Sequence, residues 1–191
     1  MNKQRRCSRS FKNEHITEKF MFDTTPYQEC IAEVHPGTIQ RVIAVESGGN
    51  PLALNINGTQ QPRKPSTKKQ AIKMAHDYIR QGYSVDLGLM QVNSRNLPRY
   101  GVTVEDMYDP CINLNIGSRI LYDAYQRAWK NNNNPQTALQ VALSIYNTGN
   151  AERGFNNGYV RKYTHHALTI APHAASASIA KTTLNFDDFY D

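Results

Sequence analysis

Helical periodicity constrains the fold of this chain more than any other feature, because four segments repeat apolar residues at the spacing of one helix face. Each segment begins with a residue type that commonly caps helices, and the predicted caps are Thr38, Thr67, Asp109 and Asn134. Gln70 would complete a capping box with Thr67. A fifth, shorter helix is predicted over residues 157–168. The sequence therefore predicts a mainly α protein.

A small β element is predicted between the first two helices, because the pair Asn57-Gly58 is typical of hairpin turns. The segment 84–94 has no clear period and is predicted as a loop or a short strand. With 191 residues and 39% hydrophobic content, the chain can bury one core. We expect a flexible polar leader over residues 1–24, a folded domain over 25–169 and a disordered tail over 170–191.

The net charge of +6 favours polyanionic partners, including a cell-wall polymer that carries carboxylates. The basic residues are scattered and do not alternate with aromatic residues in a stripe, so we predict no nucleic-acid binding. No apolar run approaches the ~18 residues that a membrane-spanning helix needs. The basic amino terminus is not followed by the apolar stretch of an export signal, so no such signal is recognised.

Cysteine and histidine residues give no sign of a metal site, because none of them forms a cluster with ligand spacing. We therefore predict neither a metal nor a cofactor, and we interpret His165 and His166 as surface or helix-end residues. A bridge between Cys30 and Cys111 would close a loop of about 80 residues, worth up to roughly 4–5 kcal/mol. Two buried thiols are an equally good reading of this spacing. Cys7 lies in the leader and is predicted to be unpaired.

The stretch "VIAVESGGNP" places a glutamate on the apolar side of the first helix, because Glu46 lies seven residues after Ile39. Desolvation and the negative end of the helix dipole would both raise the pKa of this carboxyl group. A carboxylic acid that stays protonated near neutral pH can donate a proton to a leaving group. Alternatively, Glu46 lies at the edge of the stripe and reaches water.

The same spacing recurs in the fourth long helix, where Tyr146 lies seven residues after Leu139 and "YNTG" ends the helix. A phenol at this position could donate a hydrogen bond to a carboxyl group. The alternative is a tyrosine that packs in the core.

Four motifs occur in an order that resembles the soluble lytic transglycosylases, which have a lysozyme-like (goose-type or SLT) fold. These motifs are "ESGGNP", "GLMQVN", "YNTGN" and "YVRKY". The segments around Cys30 and "DPCINLNIGSRIL" are similar to the VirB1-like and IagB-like groups of secretion and conjugation systems. In these groups the two cysteines recur, so the resemblance favours a Cys30–Cys111 bridge and an oxidising compartment. The resemblance implies a mainly α fold with a small β element.

The resemblance also implies a reaction and a set of site residues. Glu46 would protonate the oxygen between N-acetylmuramic acid and N-acetylglucosamine, then deprotonate the muramyl 6-hydroxyl, which yields a 1,6-anhydro sugar without water. Tyr146 would hydrogen-bond and orient Glu46, and Asn147 would brace the site. The cleft would be lined by Met90, Gln91, Asn55 and either Tyr159 or Tyr163.

The partners implied are peptidoglycan glycan strands and components of a type IV, or a type III, secretion apparatus, for which the enzyme would open the wall locally. We expect a monomer that works in the bacterial periplasm.

Two other functions remain open from the sequence. A lysozyme-type hydrolase on the same fold would need a second carboxylate, for which Asp86 is the candidate. A non-catalytic assembly factor would have no need for Glu46, Gln91 and Tyr146.

The insert between the first two motifs carries a run of basic residues near the expected cleft entrance. These residues are Arg63, Lys64, Lys68 and Lys69. They could attract the carboxylates of the peptides attached to the glycan, or they could form a solvated helix face.

Overall fold

The computed structural model describes residues 22–164 of the chain. The helices of this part are α1 (Pro36–Glu46), α2 (Lys68–Arg80), α3 (Leu97–Tyr100), α4 (Pro110–Trp129), α5 (Pro135–Thr148), α6 (Arg153–Asn156) and α7 (Arg161–Thr164). The strands are β1 (Leu54–Ile56), β2 (Val85–Leu87) and β3 (Val92–Asn93). Short 3-10 turns cover Thr25–Cys30, Ser94–Asn96 and Asp106–Tyr108. The prediction of a mainly α fold with a small β element is confirmed.

The long helix α4 is the centre of the fold, since it contacts α5, β3 and the first 3-10 turn. The apolar faces predicted for α1, α4 and α5 are buried, and most of their members are less than 2% exposed. They include Ile39, Val42, Ile43, Leu121, Leu139 and Leu143, whereas the predicted members Ile112 and Ile120 are only partly buried. Removing these side chains from water is the main favourable contribution to folding.

Three predicted helix starts are confirmed by their capping bonds. The side chain of Asp109 accepts a hydrogen bond from the Ile112 N–H at 3.0 Å. Asn134 caps α5 in the same way. Thr67 caps α2 by accepting from the Gln70 N–H at 3.1 Å. Each cap satisfies a backbone N–H that would otherwise lack a partner in the first helical turn.

Two helix predictions are wrong. Helix α1 begins at Pro36 and is capped by His35, whose Nδ1 accepts from the Gly37 N–H at 3.1 Å. Proline is favoured at the first helical position, so the helix starts at Pro36 and Thr38 lies inside its first turn. The helix expected from residue 157 does not begin there, because residues 157–160 separate α6 from α7 and Gly158 has a φ of +77°. Residues 165–168 of that prediction lie outside the described residues.

The three strands form an antiparallel sheet in the order β1-β2-β3. The hairpin expected at Asn57-Gly58 does not form, because β1 pairs with β2 across an excursion that includes α2. The Asn57 N–H bonds to the Ser84 carbonyl at 3.0 Å and so extends that pairing. In the register, Asp86 lies between Asn55 on β1 and Asn93 on β3.

A disulfide joins Cys30 to Cys111, with 5.3 Å between the two Cα atoms. It ties the first 3-10 turn to the start of α4. Two further bonds link the same segments: Asn115 donates to the Cys30 carbonyl at 3.1 Å, and the Ser118 hydroxyl accepts from the Ala32 N–H at 2.9 Å. The amino-terminal segment is therefore held to α4 by both covalent and hydrogen bonds.

Among residues 22–164, no helix is both long and apolar enough to cross a membrane. Most of the predicted leader, the predicted tail, Cys7 and the pair His165-His166 lie outside the described residues.

Replacing Cys30 and Cys111 with serine is expected to lower the free energy of unfolding by about 2–5 kcal/mol, because the unfolded chain regains the freedom of an open loop. Urea denaturation followed by circular dichroism measures this loss. Cys7→Ser is the matched control and should leave the urea midpoint where it is. A midpoint that does not move in the double variant would contradict a stabilising role for the bridge.

Candidate active site

One large groove runs between the sheet and the carboxyl-terminal ends of α1 and α5, and it encloses about 1180 Å³. The sheet contributes one wall and the second half of α4 contributes part of the other. Its lining includes Glu46, Asn55, Asp86, Gln91, Tyr146, Asn147 and Tyr159. These residues come from well-separated parts of the sequence.

Glu46 is the last residue of α1 and faces the groove. The helix ends there because Gly48 and Gly49 adopt left-handed backbones, with φ of +61° and +83°, and the Gly48 N–H bonds back to the Ile43 carbonyl at 3.0 Å. The Glu46 carboxyl group accepts a hydrogen bond from the Tyr159 hydroxyl. The carboxyl group is therefore fixed in the groove by a neighbour on a distant segment.

Burial raises the pKa of Glu46 to about 7. The hydrogen bond from Tyr159 opposes this shift, because it stabilises the charged form. The negative charge of Asp86 raises the pKa further, whereas the Lys162 ammonium lowers it. Near neutral pH the group can therefore be present both as an acid and as a base, which suits proton transfer in both directions.

Two tyrosines lie in series behind Glu46. The hydroxyl groups of Tyr159 and Tyr163 are 2.7 Å apart, and their ring centroids are separated by 5.3 Å. Burial raises the pKa of both phenols well above its usual value, so both remain protonated donors. Tyr159 lines the groove, while Tyr163 is 2% exposed and lies behind it.

The predicted hydrogen bond from Tyr146 to Glu46 is wrong. The Tyr146 hydroxyl instead donates to the Met90 carbonyl at 2.6 Å. The last turns of α5 face the 88–91 turn, so the Tyr146 hydroxyl bonds to the Met90 carbonyl and not to the Glu46 carboxyl group. Glu46 is near enough for its charge to contribute, after burial, to the raised pKa of Tyr146. Tyr146 therefore ties the 88–91 turn to α5 beside the acid.

Met90 does not line the groove with its side chain, in contrast to the prediction. It is fully buried and packs against Gly117 of α4, where a Cβ atom would come within 2.6 Å of the Met90 sulfur. The missing side chain at position 117 leaves the space that methionine fills. Met90 thus contributes to the site through its backbone N–H and carbonyl groups.

Asn113 holds the 88–91 turn from the core and is 1% exposed. Its side chain accepts from the Met90 N–H and donates to the carbonyls of Leu87 and Met107, each at 2.9 Å. Gly88 makes this possible, because a Cβ there would lie 2.4 Å from the Asn113 amide nitrogen. Sequence analysis missed Asn113, although an asparagine inside the apolar stripe of α4 was a visible signal.

Gln91 has a left-handed backbone with a φ of +49°, which is uncommon for a residue with a side chain. Its side chain donates to the Gly88 carbonyl at 3.0 Å, and the residue lines the groove. A conformation of this kind costs on the order of 1 kcal/mol or more and persists where the surroundings enforce it. The Tyr146 and Asn113 bonds to Met90 are the enforcing contacts.

Three asparagines hold the carboxylate of Asp86 on the groove face of the sheet. Asn55 and Asn57 each donate to one oxygen at 3.0 Å, and Asn93 donates to the other at 2.6 Å. The antiparallel register places Asn55 and Asn93 on either side of Asp86. Asn147 lies across the groove, is exposed, and accepts from the Asn157 amide at 3.1 Å.

Of the basic residues in the insert, Lys64 lines the groove, whereas Arg63, Lys68 and Lys69 are not among the lining residues. Within residues 22–164, no three histidine, cysteine or acidic side chains form a group that could hold a metal ion.

The family model of the "Transglycosylase SLT domain" matches residues 25–168. The "Type IV secretion system protein virB1" of Brucella suis biovar 1 is 40% identical over 162 residues, which cover 81% of this chain and 68% of that protein. The "Protein virB1" of Agrobacterium fabrum is 35% identical over 145 residues, covering 76% of this chain and 59% of its own length. No solved structure gives a significant match. These matches show that the chain, whose groove is lined by Glu46, belongs to the transglycosylase SLT domain family.

Proposed function

We propose that this protein is a peptidoglycan lytic transglycosylase that opens the cell wall for a type IV secretion or conjugation apparatus, with Glu46 as its catalytic acid and base. The family match and the two virB1 relatives support the activity and its setting. The observation that carries the catalytic assignment is a buried carboxyl group that lines a groove of about 1180 Å³, where burial raises its pKa to about 7. Work on the wall implies the periplasm.

In the first step, protonated Glu46 gives its proton to the glycosidic oxygen that leaves the muramyl anomeric carbon. The bond between this carbon and the oxygen breaks, and its electron pair stays with the leaving oxygen. The carbonyl oxygen of the substrate's own N-acetyl group stabilises the positive charge that develops at the anomeric carbon. The Tyr159 hydroxyl stabilises the carboxylate that remains on Glu46.

In the second step, the Glu46 carboxylate accepts the proton of the muramyl 6-hydroxyl group. The oxygen of that group forms a bond to the anomeric carbon, which closes the 1,6-anhydro ring and regenerates the acid. One carboxyl group therefore serves both steps and water is not consumed, in contrast to glycosidases that use two carboxylates.

Lysozyme-type hydrolysis is the second candidate, because Asp86 also lines the groove. In that reaction Asp86 would orient a water molecule toward the anomeric carbon. The three asparagine amides already engage both of its oxygens, which favours a fixed electrostatic role over water activation. The two reactions differ in their products: hydrolysis creates new reducing ends and transglycosylation creates anhydro ends.

Digestion of purified peptidoglycan by the wild type is expected to yield anhydromuramyl ends, identified by mass spectrometry. Glu46→Gln should lower the rate by about 10²–10⁴-fold, because the amide can neither give nor take the proton. Circular dichroism should show that this variant keeps its fold. Predominantly reducing ends would refute transglycosylation, and undiminished lysis by the Gln variant would refute the role of Glu46.

The value of kcat/KM should decline as the pH rises through about 7, because the acid form of Glu46 is lost there. Since the bond from Tyr159 lowers the pKa of Glu46, Tyr159→Phe should move this decline to higher pH. A pH profile of the digestion rate measures the shift. Tyr83→Phe is the matched control, because the Tyr83 ring is exposed and does not line the groove, and it should keep the wild-type profile. A decline at lower pH in Tyr159→Phe would contradict the assignment.

A further inference from the structure

The groove continues past the acid to an end that is rich in arginine. Helix α4 presents Asp123 and Arg127 to this end, one helical turn apart. The segment that follows β3 contributes Arg95 and Arg99. We name this part, lined by Arg95, Arg99 and Arg127, the arginine end.

Asp123, the acidic residue at the arginine end, already has two hydrogen-bond donors. Asp123 accepts hydrogen bonds on the same carboxylate oxygen from the Arg99 guanidinium and from the Tyr100 hydroxyl, both at 3.0 Å. Over the described part of the chain, the guanidinium groups of Arg95 and Arg127 have no acidic partner. A fourth arginine, Arg119, lies with its guanidinium carbon 5.4 Å from the centre of the Tyr100 ring. The arginine end therefore carries an excess of positive charge.

The backbone that carries Arg95 is fixed to the centre of the groove. Its N–H donates to the Asn93 side chain at 3.0 Å, and the same side chain donates to Asp86 at 2.6 Å. Arg127 is placed by the long helix α4, in which Ala124, one turn before it, and Ala128, directly after it, are buried. Both side chains are exposed, and the backbone that carries each of them is fixed before a ligand arrives.

The chemistry of the proposed substrate identifies what these cations would meet. An N-acetylated glycan strand is neutral where its lactyl carboxyl group is joined to a peptide by an amide bond. The negative charges then lie on the carboxylates of the attached peptides. A guanidinium group binds a carboxylate through two parallel hydrogen bonds, whereas it gains nothing comparable from a neutral sugar hydroxyl.

We propose that the arginine end is a subsite for the carboxylate groups of the peptides attached to the glycan strand, with Arg95 and Arg127 as its ligands. This inference rests on the proposed function, since it names the part of peptidoglycan that the groove recognises besides the sugar chain. The subsite would make the enzyme prefer strands that carry free peptide carboxylates over strands whose peptides are neutral.

The test compares two forms of one peptidoglycan preparation whose free amines have been acetylated. In the second form the peptide carboxyl groups are also converted to amides with ammonia, which removes charge and leaves the glycan and peptide lengths unchanged. Arg95→Gln with Arg127→Gln is compared with the wild type. Lys130→Gln with Arg153→Gln is the matched control, because it removes two exposed positive charges that do not line the groove.

The ratio of kcat/KM for the carboxylate form to that for the amide form is the readout. The wild type should prefer the carboxylate form by about three- to tenfold, the range expected of partly exposed charge-assisted contacts. The Arg95→Gln, Arg127→Gln variant should lose most of this preference, and the control should keep it.

A ratio that is the same in the arginine variant and in the wild type overturns the subsite, as does an equal loss in the control. If both substrates yield anhydro ends and the kcat/KM ratio is the same in the arginine variant and in the wild type, the subsite is overturned and the proposed function stands. A wild-type digest that contains no anhydro ends from either substrate overturns the proposed function itself.

Discussion

The buried amide of Asn113 is the contact on which the geometry of the groove depends. It bonds to the Met90 N–H within the 88–91 turn, to the Leu87 carbonyl just before that turn and to the Met107 carbonyl, and it is placed two residues after the cysteine that ties α4 to the amino-terminal segment. Through Met90 the same turn is bonded to Tyr146 at the end of α5. Two helices and the sheet are thereby joined at one turn, and buried polar groups satisfied in this way specify a single arrangement.

Glu46 lies beside this turn under opposing electrostatic influences. Burial and Asp86 disfavour its negative charge, whereas Tyr159 and Lys162 favour it. The resulting pKa of about 7 lies near neutral pH, which suits a reaction in which one group must first lose a proton and later regain it. The raised pKa therefore depends on the surroundings of Glu46 more than on its position in the helix, and these surroundings include β2 and residues 159–162, which are distant in the sequence.

Local signals in the sequence predicted the helical class, three of the helix caps and the location of Glu46 at the end of an apolar stripe. They failed where the outcome depends on partners across the fold. Periodicity shows that Tyr146 faces inward, but it cannot show that a carbonyl lies nearer than a carboxylate. It equally cannot reveal that a glycine in α4 leaves room for Met90, or that Asn57 pairs across the sheet with a segment beyond α2. The arginine end is a property of three residues that only the tertiary structure brings together.

The asparagines around Asp86 have a consequence for the proton chemistry. An arginine or lysine in their place would hold the carboxylate equally well, but it would also cancel the negative field that reaches Glu46. Amide groups are neutral, so they anchor the aspartate and leave its charge uncompensated. The negative charge of Asp86, held on the sheet, therefore acts on Glu46 across the groove and opposes the ionisation of its carboxyl group.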